Sequence, residues 1–207
     1  MSRKPHKQLD HFGRRAKSEG YAARSVYKLE EIQNKFHPLE SGARVLDLGA
    51  APGSWTQFSA GRVGPHGLVV AVDLSPINSR PENAVVYTGD FYDPDVLQSI
   101  ASHGPYNVVL SDAAPATTGN RSLDTTRSAA IAEYALYLCD TLLCEGGHLV
   151  VKIFQGGEEQ ALLKELRRLF QTGRLFKPKA CRAESFETYL IGLGYKKEAS
   201  HSHEKHD

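Results

Sequence analysis

Cysteine is scarce in this chain of 207 residues: there are three, Cys139, Cys144 and Cys181. An odd number with no C-x-x-C pair excludes a disulfide framework and gives no zinc-ligand spacing, so the three are expected to be buried thiols and no metal site is expected. Long apolar runs are missing too. No stretch of 18 apolar residues offers a membrane span, and the first ten residues, MSRKPHKQLD, lack the apolar segment of a secretory signal. A soluble, cytoplasmic protein is expected. Nor does a Pro/Gly/Ser-rich linker or an internal repeat divide the sequence, which leaves one domain with short extensions. The expected boundaries are a basic N-terminal arm over 1–20, a domain over 21–196 and a flexible His-rich tail over 197–207.

Net charge is nearly absent as well, at +1, but the charges are segregated. Residues 1–28 hold eight Lys and Arg against Asp10 and Glu19, and residues 164–182 hold seven against Glu165 alone, so each segment is +6 and the remainder is −11. Two basic segments on a nearly neutral protein are the expected footprint of one that grips a polyanion, provided both lie near the same edge.

From about residue 43 onward, apolar runs alternate with helical patterns, which predicts an α/β fold with a mostly parallel sheet and helices on both faces. Strands are expected at Arg44–Leu48, Leu68–Val72, Ala84–Tyr87, Asn107–Ser111, Leu149–Phe154, Leu175–Cys181 and Thr188–Leu193. The last two, with no helix between them, should form an antiparallel hairpin at the sheet edge. Helices are expected at Trp55–Val63, Asp93–Ser102, Thr125–Leu143 and Glu158–Phe170. Ahead of the sheet, Val26, Leu29, Ile32 and Phe36 share a helical face, with Ser25 available as the N-cap. Lys28 lies beside that stripe and can reach toward the sheet edge. Residues 1–20 show little apolar periodicity and read as an arm that orders on a partner.

The segment Val45-Leu46-Asp47-Leu48-Gly49-Ala50-Ala51-Pro52-Gly53-Ser54-Trp55 reads as strand, tight turn and helix start, the place where a doubly wound fold binds a nucleotide-like ligand. Its G-x-x-x-G spacing lacks the third glycine of a dinucleotide fingerprint, and no Gly-Lys-Ser/Thr follows to make a P-loop. Asp73 ends the second strand, where a carboxylate can accept bonds from two ribose hydroxyls, and Asp90 follows the third, where one can meet an adenine amino group. An adenosine without a pyrophosphate fits these parts better than NAD does.

Lys28, Asp112, Lys152 and Glu187 each sit in a context that brings them to one edge of the sheet. Two lysines converging with two carboxylates stabilise a core poorly, yet they suit the handling of a hydroxyl proton. The segments Asp47 to Trp55, Ser111-Asp112-Ala113-Ala114-Pro115, Val151-Lys152-Ile153-Phe154-Gln155-Gly156 and Ala22-Ala23-Arg24-Ser25-Val26-Tyr27-Lys28-Leu29 resemble the signature segments of the FtsJ/RrmJ family of S-adenosylmethionine-dependent RNA 2′-O-ribose methyltransferases. The likeness runs from about Asp10 to about Tyr195. Ser54 departs from it, standing where many members have a second glycine.

The resemblance implies a class I methyltransferase domain, with a seven-stranded, mostly parallel sheet and a C-terminal antiparallel strand. It implies S-adenosylmethionine held by Gly53, Trp55, Asp73, Asp90 and Asp112. It also implies a K-D-K-E catalytic tetrad of Lys28, Asp112, Lys152 and Glu187. Lys152 is the candidate for handling the 2′-hydroxyl proton, as acceptor or as a donor that orients the oxygen. The loop from Ser111 to Asn120 would border the nucleotide, and the basic segments would hold flanking phosphates. The expected substrate is a uridine of large-subunit (23S) ribosomal RNA, with transfer RNA next and an mRNA cap more distant. The expected enzyme is a monomer. A non-catalytic RNA-binding or ribosome-assembly module on the same scaffold predicts decay of the tetrad, whereas all four residues are present. A dehydrogenase is disfavoured by the loop spacing.

Overall fold

The computed structural model describes residues 11–182 and 184–197. The element order is α1 (His11–Ser18), α2 (Val26–Phe36), β1 (Arg44–Leu48), α3 (Ser54–Val63), β2 (Leu68–Asp73), β3 (Ala84–Thr88), α4 (Pro94–Ala101), β4 (Tyr106–Ser111), α5 (Arg121–Leu142), β5 (Leu143–Phe154), α6 (Glu159–Leu169), β6 (Phe170–Phe176) and β7 (Glu187–Tyr195). The seven strands form one sheet in the order β3-β2-β1-β4-β5-β7-β6, with β1 to β5 paired in parallel and β7 antiparallel to both β5 and β6. The expected fold class is the observed one. The strand order reverses between β1 and β4, so a crevice opens at the carboxyl ends of those strands, where open α/β sheets bind ligands.

Burial on both faces explains the apolar runs. Val69, Val70, Ala71 and Val72 are all 0% exposed, the pattern of a strand covered above and below. On one face α5 and α6 pack over Leu46, Val70, Val109 and Val151; on the other, α2 and α3 pack over Val45, Val69, Val108 and Val150. Leu29 and Ile32 of α2 are fully buried, each worth roughly 1.5–3 kcal/mol. That burial fixes the rotation of α2 about its axis, and with it the direction in which Lys28 leaves the helix.

Four expectations need correction. Cys144, expected to be buried like Cys139 and Cys181, is only partly so. Within the expected arm, residues 11–18 form α1. Phe12, Arg15, Ala16 and Glu19 share a face of the kind that docks a helix: Ala16 is buried, Phe12 packs on Tyr27 at 5.5 Å, and Arg15 covers the Tyr27 ring at 4.3 Å while bonding Glu19 at 2.7 Å. Residues 1–10 and 198–207, with the rest of that arm and nearly all of the expected tail, lie outside the described residues. The sixth strand is Phe170–Phe176 and not Leu175–Cys181. Pro178 brings no N–H to a ladder, and a turn closes from its carbonyl to the Cys181 N–H at 3.1 Å. Ser25 makes no side-chain cap on α2; it already has helical dihedrals, and its hydroxyl bonds that of Ser54 at 2.9 Å.

Candidate active site

Asp112 immediately follows β4, Lys152 lies near the end of β5, Glu187 begins β7 and Lys28 projects from α2. The pairing register aligns Lys152 with Tyr189 and Phe154 with Glu187. Side chains of paired residues share a face of the pleat, so these four stand as two successive rungs above one side of the sheet. All four expected tetrad residues meet there. Lys28 Nζ donates to Glu187 Oε2 at 2.9 Å, and Lys152 Nζ lies 3.1 Å from Asp112 Oδ1 while also donating to the Asp112 carbonyl. The side chains are nearly enclosed, at 11% and 13% exposure for Lys28 and Glu187 and 7% and 17% for Lys152 and Asp112.

Charges this buried interact strongly, and each carboxylate has its lysine. Burial alone would raise the Asp112 carboxyl, but Lys152 and Lys28 outweigh it and hold the group below the usual aspartate value. For Lys28, burial pulls downward, and the attraction of Asp112 and Glu187 leaves it above the ordinary lysine value. The Tyr189 hydroxyl donates to Asp112 Oδ1 at 2.7 Å, and burial followed by the Asp112 charge pushes its own titration far up. Its ring stacks on Trp55 at 5.8 Å, and the Trp55 indole N–H donates to the Ser25 carbonyl at 2.9 Å. The cluster thus rests on a brace that ties β7 to α3 and α2.

Toward β1, β2 and β3 the crevice is more open. Gly49 and Gly53 have φ of 72° and 106°, and a Cβ on them would come within 2.5 Å of Ala113 and 2.8 Å of Ser79. Only glycine permits both the turn and the close approach of the neighbouring loops. Asp73 is partly exposed; Oδ2 accepts from Ala51 N at 3.0 Å and Oδ1 from Ser75 N at 2.7 Å. Each oxygen keeps acceptor capacity for a hydroxyl. Leu74 is 71% exposed beside it. Asp90 is exposed, with Oδ1 holding the Tyr92 N–H at 3.0 Å. A diol acceptor, an apolar side chain and a second carboxylate at neighbouring strand ends fit an adenosine. Trp55, expected beside that space, is 2% exposed at the start of α3, with its ring stacked on Tyr189.

Over residues 21–195 the sequence matches the FtsJ-like methyltransferase family. The chain belongs to that family. It is 48% identical over 198 residues to the ribosomal RNA large subunit methyltransferase E of Treponema denticola, spanning 95% of this chain and all of that one. It is 50% identical over 190 residues to the protein of the same name from Syntrophobacter fumaroxidans, spanning 91% and 96% of the two chains. A crystal structure of a ribosomal RNA methyltransferase from Plasmodium falciparum superposes with a TM-score of 0.74 at 26% identity, covering 84% of this chain and 98% of that one. Aeropyrum pernix fibrillarin, solved with natively bound S-adenosyl-L-methionine, superposes with a TM-score of 0.58 at 16% identity over 82% and 76% of the chains, a likeness of fold. As an FtsJ-like methyltransferase the protein takes S-adenosylmethionine as cofactor.

Two groups at this FtsJ-like site escaped the sequence reading. Tyr189 lies two residues beyond Glu187, and period-two alternation alone assigns it to the same face. Asp47 is the other, fully buried under the Gly49 turn: Oδ2 accepts from Thr56 Oγ1 at 2.7 Å, Oδ1 has no partner among the described residues, and burial pushes the carboxyl up to about 7. The basic segments are only partly gathered at the site. Arg24 donates to the Ala180 carbonyl, which draws the 178–182 segment against the start of α2. Arg167 and Arg168, by contrast, fall in the last turn of α6, where Arg168 bonds Glu165 at 2.8 Å. They stand at the far end of that helix from the turn that follows β5.

Proposed function

We propose that the protein methylates the 2′-hydroxyl of one ribose, that of a uridine in large-subunit (23S) ribosomal RNA, and does so as a cytoplasmic monomer. The observation that carries the reaction is the pair of buried lysine–carboxylate contacts converging on one sheet edge beside an adenosine-shaped crevice. The substrate reading rests on relatives that carry the name of a large-subunit ribosomal RNA methyltransferase and match nearly the whole chain.

S-adenosylmethionine, when bound, supplies an electrophilic methyl group on its sulfonium. Asp73 and Asp90 would hold its adenosine, and Gly49 and Gly53 let the backbone come close. Asp112, ionised and braced by Tyr189, holds Lys152 Nζ in place, and in-line displacement gains most of its rate from such positioning. Lys152 Nζ, after giving up one ammonium proton to solvent, is the acceptor of the 2′-hydroxyl proton. The Lys28 ammonium, fixed by Glu187, offers positive charge to the oxygen as its proton leaves. Removing partial negative charge from solvent and placing it beside a fixed cation lowers the barrier further.

The test is transfer of labelled methyl from S-adenosylmethionine to large ribosomal subunits purified from cells lacking the gene, run beside transfer RNA. Label in large-subunit RNA is expected. Label in transfer RNA alone would replace the substrate, and tighter binding of NAD than of S-adenosylmethionine in calorimetry would overturn the reaction.

A further inference from the structure

The tetrad accounts for a ribose hydroxyl but leaves the base of that nucleotide without a partner. One rung outward from Lys152 on β5, roughly 7 Å along the strand, stands Phe154, paired in register with Glu187. Its ring meets Phe186 edge-to-face at 4.7 Å and 63°, and the Arg121 guanidinium lies 5.3 Å from the centre of the Phe186 ring. Arg121 also reaches the Gln155 carbonyl at 3.4 Å, while Gln155 N donates to the Phe186 carbonyl at 2.8 Å, so the three side chains rest on bonded backbone.

These rings are not part of the interior. Phe36, Phe176 and Phe170 join the cores, whereas Phe154 and Phe186 are half-buried and join none of the three. Arg121 is exposed. Two half-buried aromatic rings and a guanidinium over one of them, beside a site for ribose, form the kind of surface on which nucleobases stack.

We infer that Phe154, Phe186 and Arg121 form a base-holding wall on which a nucleobase of the RNA strand stacks while its ribose lies at Lys152. This inference rests on the RNA reading above. The wall carries no hydrogen-bond code, so it holds a base by its face and adds little choice among bases. It stands beside the Lys152 rung, and it gives a base displaced from its neighbours a surface to replace the stacking it loses.

The test uses the full chain and a single-stranded RNA dodecamer carrying one 2-aminopurine, whose fluorescence is quenched on stacking. Wild-type protein is expected to quench it. Phe154→Leu and Phe186→Leu, which keep apolar volume and remove the aromatic face, should each abolish most of the quenching. Each should also raise the KM for large-subunit RNA about tenfold or more, with kcat within a few fold. Phe186→Tyr should restore both readouts, and unchanged S-adenosylmethionine affinity would report an intact site. Quenching and KM at wild-type values in both leucine variants would overturn the wall and leave the reaction untouched. Quenching by wild-type protein without methyl transfer would support the wall and contradict the reaction.

Discussion

The two ends of the crevice are built on different rules. At the β4, β5 and β7 end, Lys28, Asp112, Lys152 and Glu187 are nearly enclosed, and each finds an opposite charge or a hydrogen bond within the protein. At the β1, β2 and β3 end, Asp73 is partly exposed and Asp90 exposed, and their side chains accept from nearby backbone N–H groups. The proposed tasks would account for the difference. A group that handles a proton gains from a dry, fixed setting where charges act strongly, whereas a carboxylate that receives an incoming ligand must keep lone pairs free and a path to them.

The largest effect is expected from Lys152→Ala. It should lower methyl transfer about a thousandfold, in the range of lost acid–base assistance, while S-adenosylmethionine affinity changes no more than a few fold. Single-turnover assays and calorimetry read the two separately, and substantial residual transfer would erase the proposed division of labour.

Asp47 sits beneath the boundary between the two ends and tests the cost of burial. Its folded value is about 7 against an unfolded value near the ordinary 3.8, so the native state holds the extra proton. Its contribution to stability is intact below about pH 4, falls as pH rises toward 7, and is lost above that, a difference on the order of 4 kcal/mol. Thermal melts of Asp47→Asn should therefore gain on wild type as pH rises from 4 to 7 and hold that gain at higher pH. A pH-independent difference would contradict the assignment.

The open end should respond in the opposite sense to Lys152→Ala. Asp73→Ala is expected to weaken S-adenosylmethionine about 10- to 100-fold, the worth of one or two bonds to a charged acceptor, with kcat nearly kept at saturating cofactor. A collapse of kcat there would blur the two ends. The smallest effect is expected from Tyr189→Phe, which removes one bond to Asp112 and keeps the stack on Trp55. A fall in kcat of about tenfold, with unchanged cofactor affinity, would sharpen the view that Asp112 is held in place from behind.

Much of this was legible in the sequence because parallel strands announce themselves. The run Val69 to Val72 is apolar because both faces are covered, and Asp112 and Lys152 end neighbouring strands, so their meeting followed from sheet order. Lys28 and Glu187 were less visible, since their meeting depends on how α2 docks and on the β5–β7 register. Elements stabilised by contacts far apart in sequence were misread. α1 docks through Phe12 on Tyr27 and through Arg15 on Glu30, 3.4 Å away, partners that lie outside residues 11–18. β6 begins five residues before the expected strand and includes Gly173, where a Cβ would come within 2.8 Å of the Arg167 side chain. Arg167 and Arg168 counted toward a basic surface until the length of α6 carried them away from the site.

The central claim is that this edge of the sheet directs one methyl group to one ribose oxygen, and alkaline hydrolysis of large-subunit RNA tests it most directly, because a 2′-O-methylated linkage resists cleavage. Subunits from cells lacking the gene, treated with wild-type protein and S-adenosylmethionine, should gain a single resistant linkage that is absent after treatment with Lys152→Ala. Methylation found on a base, or the same resistant linkage produced by the variant, would contradict the account.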